Sequence, residues 1–329
     1  MTTNLATYSV VLTYSAMAVY VVAFIAFALD MAKRAGDVTA AAAGAADAPR
    51  ATAAEQTVAT VRGGTVVLEK VAAPAKREGG GGSRFERVGM AMTILALVLH
   101  VGSIVLRGIA ADRVPWGNMF EFSLTGTGLI ITIFLLVQLW QNLKFLGVFI
   151  TGLTIILLGI ATVNYYVPVV PLQPALQSYW LVIHVFVAIA GTGFFALGAG
   201  LAVSQLVQTY RQGRPSGKLR FMETLPDADR LEVLTYRVIL VGFVLWTFTL
   251  IAGAIWAERA WGRYWGWDTK EVWTFIIWVV YAGYIHARAT RGWRGARSSW
   301  LALIGFAAVM FNFSVVNVFF KGLHSYSGL

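Results

Sequence analysis

Tryptophan is concentrated in one short stretch of this chain. Four of its twelve Trp residues, Trp256, Trp261, Trp265 and Trp267, lie within twelve positions of one another. Indole rings settle where an apolar environment meets water, so one interpretation is an aromatic belt that anchors helix ends in a membrane. Four rings exceed what anchoring requires, and the cluster also predicts a flat aromatic surface that binds a large, planar, apolar ligand through stacking and edge contacts.

Charged residues accompany these rings. Asp268 and Glu271 precede an apolar run with the spacing of a capping box, which predicts the start of a helix. Arg259 and Arg263 add positive charge beside the tryptophans, as a ligand with carboxylates would require.

The four histidines are the second group of residues that could do chemistry. His184 and His324 lie on the same predicted side of the membrane as the tryptophan cluster, whereas His100 and His286 fall within apolar segments. Neutral imidazole is a common axial ligand of heme iron, and two pairs predict heme positions outside and within the bilayer. Zinc or copper would favour His or Cys residues close together, but the chain has no Cys and no His-x-x-x-His spacing. For each His alone, a hydrogen bond to a neighbouring helix is the alternative interpretation.

The elements that must position these residues are membrane helices. Of the 329 residues, 58% are hydrophobic and only 13% are charged, a composition that excludes an ordinary soluble domain. About 20 apolar residues cross a bilayer as a helix, and eight segments approach that length. The sequence therefore predicts an all-α integral membrane protein with about eight transmembrane helices, near residues 7–29, 88–107, 120–140, 146–166, 180–204, 238–256, 272–288 and 300–319.

The distribution of basic residues predicts the orientation. With the N-terminus outside, the inner loops hold 20 Lys and Arg residues and the outer segments hold six. The positive-inside rule then favours N- and C-termini on the outside. The same rule accounts for the formal net charge of +10, so the predicted partner is the lipid bilayer and not nucleic acid.

The chain divides into three predicted parts. Residues 1–31 form an N-terminal transmembrane helix, and residues 32–86, which are rich in Ala and Gly, form a flexible cytoplasmic linker. Within that linker the sequence VRGGTVVLEKV predicts a short hairpin. Residues 87–329 form the main transmembrane domain, with the tryptophan-rich segment 256–273 on the outside.

These motifs resemble those of a known family. The run WGRYWGWD, residues 261–268, followed by Lys270 and Glu271, is similar to the tryptophan-rich WWD signature of heme-handling membrane proteins. The sequences LQSYWLVIHV, YIHAR and GLHSY, together with PWGNMFEFS at residues 115–123, resemble the CcsA or ResC subunit of the system II cytochrome c synthase, which is named CcsB in some bacteria. The resemblance covers residues 88–329, with Thr269 where the family pattern has Pro.

The resemblance implies a role for each candidate residue. His184 and His324 would be an external pair that ligates heme iron, and His100 and His286 a transmembrane pair that holds heme on its way outward. Heme b would be a substrate or transient ligand and not a permanent cofactor. The remaining residues implied in heme binding are Trp256, Trp261, Trp265, Trp267 and Asp268.

The resemblance also implies a function. Heme would be presented for thioether attachment to the Cys-x-x-Cys-His motif of apocytochrome c, outside the cytoplasmic membrane of a bacterium. The work would require a second synthase subunit with a large extracytoplasmic domain, of the ResB type, so this chain would be part of a heme lyase with no catalytic residue of its own. Two alternatives stay open: a heme exporter or chaperone without ligation activity, and a b-type heme electron carrier.

Overall fold

Long apolar helices make up most of the computed structural model, which describes residues 2–47, 55–62, 65–72, 83–172, 176–213, 217–290 and 293–324. The helices are α1 (Thr2–Asp47), α2 (Arg84–Ala111), α3 (Met119–Val137), α4 (Gly147–Asn164), α5 (Tyr179–Gly213), α6 (Ala228–Trp261), α7 (Thr269–Ala289), α8 (Ala296–Phe313) and α9 (Val315–Phe319). Short 3-10 helices occupy Lys144–Leu146 and Gly217–Thr224, and strands β1 (Glu55–Arg62) and β2 (Thr65–Ala72) form one hairpin.

The predicted multi-pass membrane fold is confirmed. Within the described residues, seven helices are long and apolar enough to cross a membrane: α1, α2, α3, α4, α5, α6, and α8 continued by α9. The remaining predicted span, 272–288, is α7, whose 21 residues match the length that a bilayer requires. Its Trp and Tyr side chains and terminal charges lower its mean hydropathy, so α7 is not among the seven helices that qualify by length and composition.

Polar residues fix where the helices begin. The side chains of Ser83, Asn118, Asp227 and Asp268 each accept a hydrogen bond from a backbone amide in the first turn of α2, α3, α6 and α7. Such caps satisfy amides that have no partner within the helix. The predicted capping box at the start of α7 is confirmed, since Asp268 and Glu271 both make the reciprocal contacts.

The first half of the bundle is built on α1 and α2. These two helices pack closely, and α1 also packs on α4. Between α1 and α2, the buried hydroxyls of Ser9, Thr13 and Ser103 bond to one another, which satisfies polar groups that lipid cannot. A continuous apolar core joins α1 through α5.

The second half is built on α5 and α6, with α7 and α8 packed beside them. Its core is aromatic: Phe195 of α5 stacks on Tyr281 of α7 at 3.8 Å between ring centres, and Trp246 of α6 lies 5.9 Å from Phe195. Because α5 packs on both α3 and α8, it joins the two halves.

The segment after the first span differs from a uniform linker. Helix α1 continues to Asp47, sixteen residues past the predicted boundary at residue 31, because the Ala-rich sequence that follows has a strong helical preference. The predicted hairpin is present as the antiparallel pair of β1 and β2, in which Val61 is paired with Val66. Residues 48–54, 63–64 and 73–82 of the predicted linker lie outside the described residues.

Candidate functional site

A cavity of about 220 Å³ opens at one end of the bundle. We call this the outer end, since it is the end that the charge distribution predicts to be external. The first parts of α3, α5 and α7, the second halves of α6 and α8 and two residues of α4 surround it, together with the segments just before α7 and after α8. Most of the lining is apolar, as in binding sites for small molecules. Both His184 and His324 line it.

His184 projects from the second turn of α5. Its Nδ1 donates a hydrogen bond to the carbonyl oxygen of Thr249 at 3.0 Å, which leaves Nε2 as the nitrogen with the lone pair. The ring stacks on Trp256, with centres 5.8 Å apart and planes 14° apart. It also lies against the backbone of Gly253, where a Cβ atom would come within 2.7 Å of the imidazole.

His324 reaches the same cavity from the segment that follows α9. Its Nδ1 lies 2.7 Å from a carboxylate oxygen of Asp268 and donates a hydrogen bond to it. Its ring makes edge contacts with Trp256 and Trp261, with ring centres 5.4 Å and 4.9 Å apart. Since both imidazoles lie within 6 Å of the Trp256 ring, their centres are at most about 11 Å apart, the sum of the two distances.

Asp268 ties these parts together. Its carboxylate caps α7, and it accepts hydrogen bonds from the backbone amide of Leu323 at 3.1 Å and from Nδ1 of His324. The hydrogen bond from His324 holds the pKa of the Asp268 carboxyl below its usual range, so the carboxylate is ionised at neutral pH. A carboxylate on Nδ1 orients an imidazole and makes its other nitrogen a better ligand.

The four tryptophans do not form one flat surface, and that prediction is wrong. Trp256 and Trp265 line the cavity, while Trp261 packs edge-on against Trp256 at 64°. Trp267 meets Trp265 at 89° and is 75% exposed, pointing away from the cavity. Indole pairs prefer such edge contacts to a coplanar arrangement, and the left-handed backbone of Trp267, with φ of 61°, turns its side chain outward.

The PWGNMFEFS segment also contributes to the cavity wall. Glu121 is fully buried and accepts hydrogen bonds from Arg107 at 3.0 Å, Arg113 at 2.6 Å and the amide of Gly117 at 3.0 Å. Arg107 also donates to the carbonyl of Val167. This buried cluster holds the loop before α3, whose residues 116–119 line the cavity.

Lys270 is a site residue that sequence reasoning missed. Its ammonium lines the cavity and donates to the carbonyl of Asn312 at 2.9 Å and to the side-chain oxygen of Asn317 at 2.6 Å. Its place directly after the WWD-like run was the available signal. Of the two arginines predicted to add positive charge beside the rings, Arg263 lies over the Trp261 ring at 5.9 Å and pairs with Glu271. Arg259 is 66% exposed beside Glu258.

His100 lies at the centre of the other half of the bundle. It is fully buried in α2, where Nε2 donates to the carbonyl of Leu124 at 2.8 Å and Nδ1 lies 3.3 Å from the hydroxyl of Tyr20. Both ring nitrogens therefore have protein partners in this structure.

The structure does not bring His286 to His100. His286 is exposed near the inner end of α7. At about 1.5 Å per residue, it lies roughly 26 Å from the outer end of its helix, whereas His100 lies roughly 16 Å from the outer end of α2. Helix α2 packs on α1, α3 and α4, while α7 packs on α6, α8 and α9.

The fold and the cavity together define a class: a multi-pass membrane protein with paired imidazoles beside an indole cluster at one end. Comparison with known proteins agrees with this class. The profile of the family described as cytochrome C assembly protein matches residues 116–324. A cytochrome c biogenesis protein CcsA from Guillardia theta is 34% identical over 74% of this chain and 86% of its own length, and one from Mesostigma viride is 35% identical over 71% and 82%.

A solved structure shares the fold. The cytochrome c heme lyase CcmF superposes with a TM-score of 0.60 at 14% identity, over 94% of this chain but only 46% of the CcmF chain. The present chain thus spans less than half of that protein. This chain belongs to the cytochrome c assembly protein family and is of the CcsA type, so its general role is cytochrome c biogenesis.

Proposed function

We propose that this protein binds heme in the cavity at the outer end, with His184 and His324 as axial ligands, and presents it to apocytochrome c. One observation carries the proposal: two imidazoles line the same cavity, and each has its Nδ1 held by an oxygen acceptor. Ligating histidines are usually held in this way, through the ring nitrogen that does not bind the metal, so iron would be ligated through Nε2 of each ring.

The surroundings suit a large planar substrate. The cavity lining is mostly apolar, with Trp256 and Trp265 among its rings. Iron coordination by two histidines would fix the macrocycle and set its redox state. The thiols for attachment must come from the Cys-x-x-Cys-His motif of the apocytochrome, because this chain has no Cys. What its residues contribute is position and orientation.

The substrate and partners follow from the same chemistry. We propose heme b as the substrate, a ResB-type subunit with a large extracytoplasmic domain as the partner, and the bacterial cytoplasmic membrane as the location. Family membership supports heme handling with a partner subunit, and the apolar helices support a membrane location; the particular heme, partner and membrane come from the resemblance of the motifs. Covalent cytochrome c formed by the purified complex, but not by this chain alone, would support a synthase subunit. Equal product without the partner would contradict the need for it.

Ligation by His100 and His286 is a proposal for a different conformation. His100 would have to release Tyr20, whose hydroxyl makes the longer of the two contacts, and α2 and α7 would have to approach each other. In the present conformation His100 stabilises the packing of α1 on α2.

Removing the cavity indole at Trp265 should weaken heme binding. Trp265→Ala is expected to lower heme affinity about two- to tenfold, because an aromatic contact contributes about 0.5–1.5 kcal/mol beyond buried area. The measurement is heme content of protein purified after equal membrane insertion. Trp140→Ala is the matched control, since Trp140 is 71% exposed beyond α3, at the inner end. Equal heme content in the two variants would contradict this role.

Neutralising Asp268 should weaken iron ligation by His324. Asp268→Asn keeps the shape of the side chain and an oxygen that can cap the helix, but it removes the negative charge that faces Nδ1 of His324. Loss of such a partner typically costs about 10–100-fold in metal affinity. Asp227→Asn is the control, because Asp227 caps α6 in the same way, through the amide of Arg230, and bonds to no histidine within the described part of the chain. Heme titration of both variants tests this. An unchanged affinity in Asp268→Asn would show that the carboxylate acts only as a cap.

A further inference from the structure

Lys270 is a cation whose charge has no direct carboxylate partner among the described residues. It makes no ion pair there, and its two hydrogen-bond acceptors, the Asn312 carbonyl and the Asn317 side chain, are neutral. An ammonium has three donors, so these contacts account for two of them. Placing a charge in an apolar setting without an opposite charge is costly, which raises the question of what the cation serves.

The nearby carboxylates are committed to other groups. Asp268 holds His324 and the amide of Leu323. Glu271 lines the cavity as well: its Oε2 accepts hydrogen bonds from the amides of Gly266 and Asp268, and its Oε1 lies 3.6 Å from Arg263 and accepts no hydrogen bond from the described part of the chain. Neither carboxylate bonds to the Lys270 ammonium.

The wall around Lys270 is a polar part of a mostly apolar cavity. Asn312 and Asn317 line the cavity with it, and the side-chain oxygen of Asn312 is buried without a hydrogen-bond partner. The histidines line the same space. A ligand held by His184 and His324 would therefore meet a cationic, hydrogen-bonding wall along one part of its edge.

We propose that Lys270 binds a carboxylate of the heme substrate and so determines which edge of the macrocycle faces the cavity opening. This inference rests on the proposed function. Heme carries both propionates on one side of the ring and both vinyl groups on the other, so holding the propionate side directs the vinyl side away from Lys270. The residue is a positioning residue for attachment, since the reacting carbons lie on the vinyl side.

A structural role for the same lysine gives a different expectation. The Asn312 carbonyl belongs to the last turn of α8, and a lysine often bonds to such unsatisfied carbonyls. If that were its whole role, replacing Lys270 would disturb the binding of any porphyrin equally, whether or not the porphyrin carries carboxylates.

The test compares iron protoporphyrin IX with its dimethyl ester, which lacks the carboxylates. The parent protein should bind the ester about tenfold more weakly, the effect of one charge-assisted hydrogen bond. Lys270→Met should bind iron protoporphyrin IX about tenfold more weakly than the parent and should no longer distinguish the two ligands. Lys270→Arg should keep much of the discrimination. Lys321→Met, an exposed lysine at the same end of the protein, should match the parent.

Three results would overturn the inference. Equal affinity of the parent for the two porphyrins would do so without any variant, even if Lys270→Met failed to fold. A parallel loss of affinity for both porphyrins in Lys270→Met would assign the lysine to helix packing and leave the proposed function intact. Failure of the parent to bind either porphyrin would contradict the proposed function, and the Lys270 assignment with it.

Discussion

Replacing either His184 or His324 with Ala should remove most of the heme from the outer cavity. Each variant leaves one axial ligand, and we expect more than about a tenfold loss of affinity, since even the loss of a supporting partner costs that much. The purified variants should show this as a lower heme content and an altered absorbance spectrum. The maturation of cytochrome c should fall in parallel.

Exogenous imidazole should restore part of the binding, most clearly in His184→Ala. The lost ring leaves a slot between Trp256 and the backbone of Gly253, which a free imidazole fits. Trp140→Ala is the comparison variant, because Trp140 is an exposed ring at the inner end that belongs to no proposed heme site, and its loss should leave the outer heme in place. Unchanged spectra and full maturation in both outer variants would refute the assignment.

Removing the buried carboxylate of Glu121 should be the most damaging single change to stability. Glu121→Ala leaves Arg107 and Arg113 without their shared partner, and breaking a buried ion pair typically costs about 3–5 kcal/mol. The loop that carries cavity residues 116–119 should lose its anchor, so heme affinity should fall as well. Thermal unfolding in detergent and heme titration measure the two effects.

A surface ion pair provides the control for Glu121. Glu223→Ala removes the exposed partner of Arg211 and should change stability by no more than about 1 kcal/mol. Glu121→Gln, which keeps the shape of the side chain, covers the case in which the Ala variant does not fold. Equal unfolding midpoints for Glu121→Gln, Glu223→Ala and the parent would contradict the anchoring role.

The helices and their starts could be predicted because their causes are local. Apolar length defines the spans, and the three-residue spacing of Asp268 and Glu271 defines the cap of α7, which the structure confirms. The side of the bundle shared by His184, His324 and the tryptophans followed from counting spans. The low hydropathy of α7 shows the limit of that counting, since a helix packed through aromatic residues reads as less apolar than its neighbours.

The details of the site depend on contacts between distant segments. Tyr20 contacts His100, which lies 80 residues away in the sequence, and no local sequence pattern predicts that contact. Ring angles in the tryptophan cluster depend on how α6, α7 and the last residues pack, so a flat surface was the wrong expectation. The sequence marks Lys270 only as part of the WWD-like run and assigns it no role, because its contacts with Asn312 and Asn317 depend on the packing of α7 against α8 and α9.

The most direct test of the proposed site is to locate the iron. A cryo-electron microscopy map of the heme-loaded protein in a lipid nanodisc would do so. We expect iron in the outer cavity, bonded to Nε2 of both His184 and His324, with the macrocycle beside Trp256 and Trp265. Iron bound elsewhere, with His184 still hydrogen-bonded to Thr249 and His324 to Asp268, would contradict it.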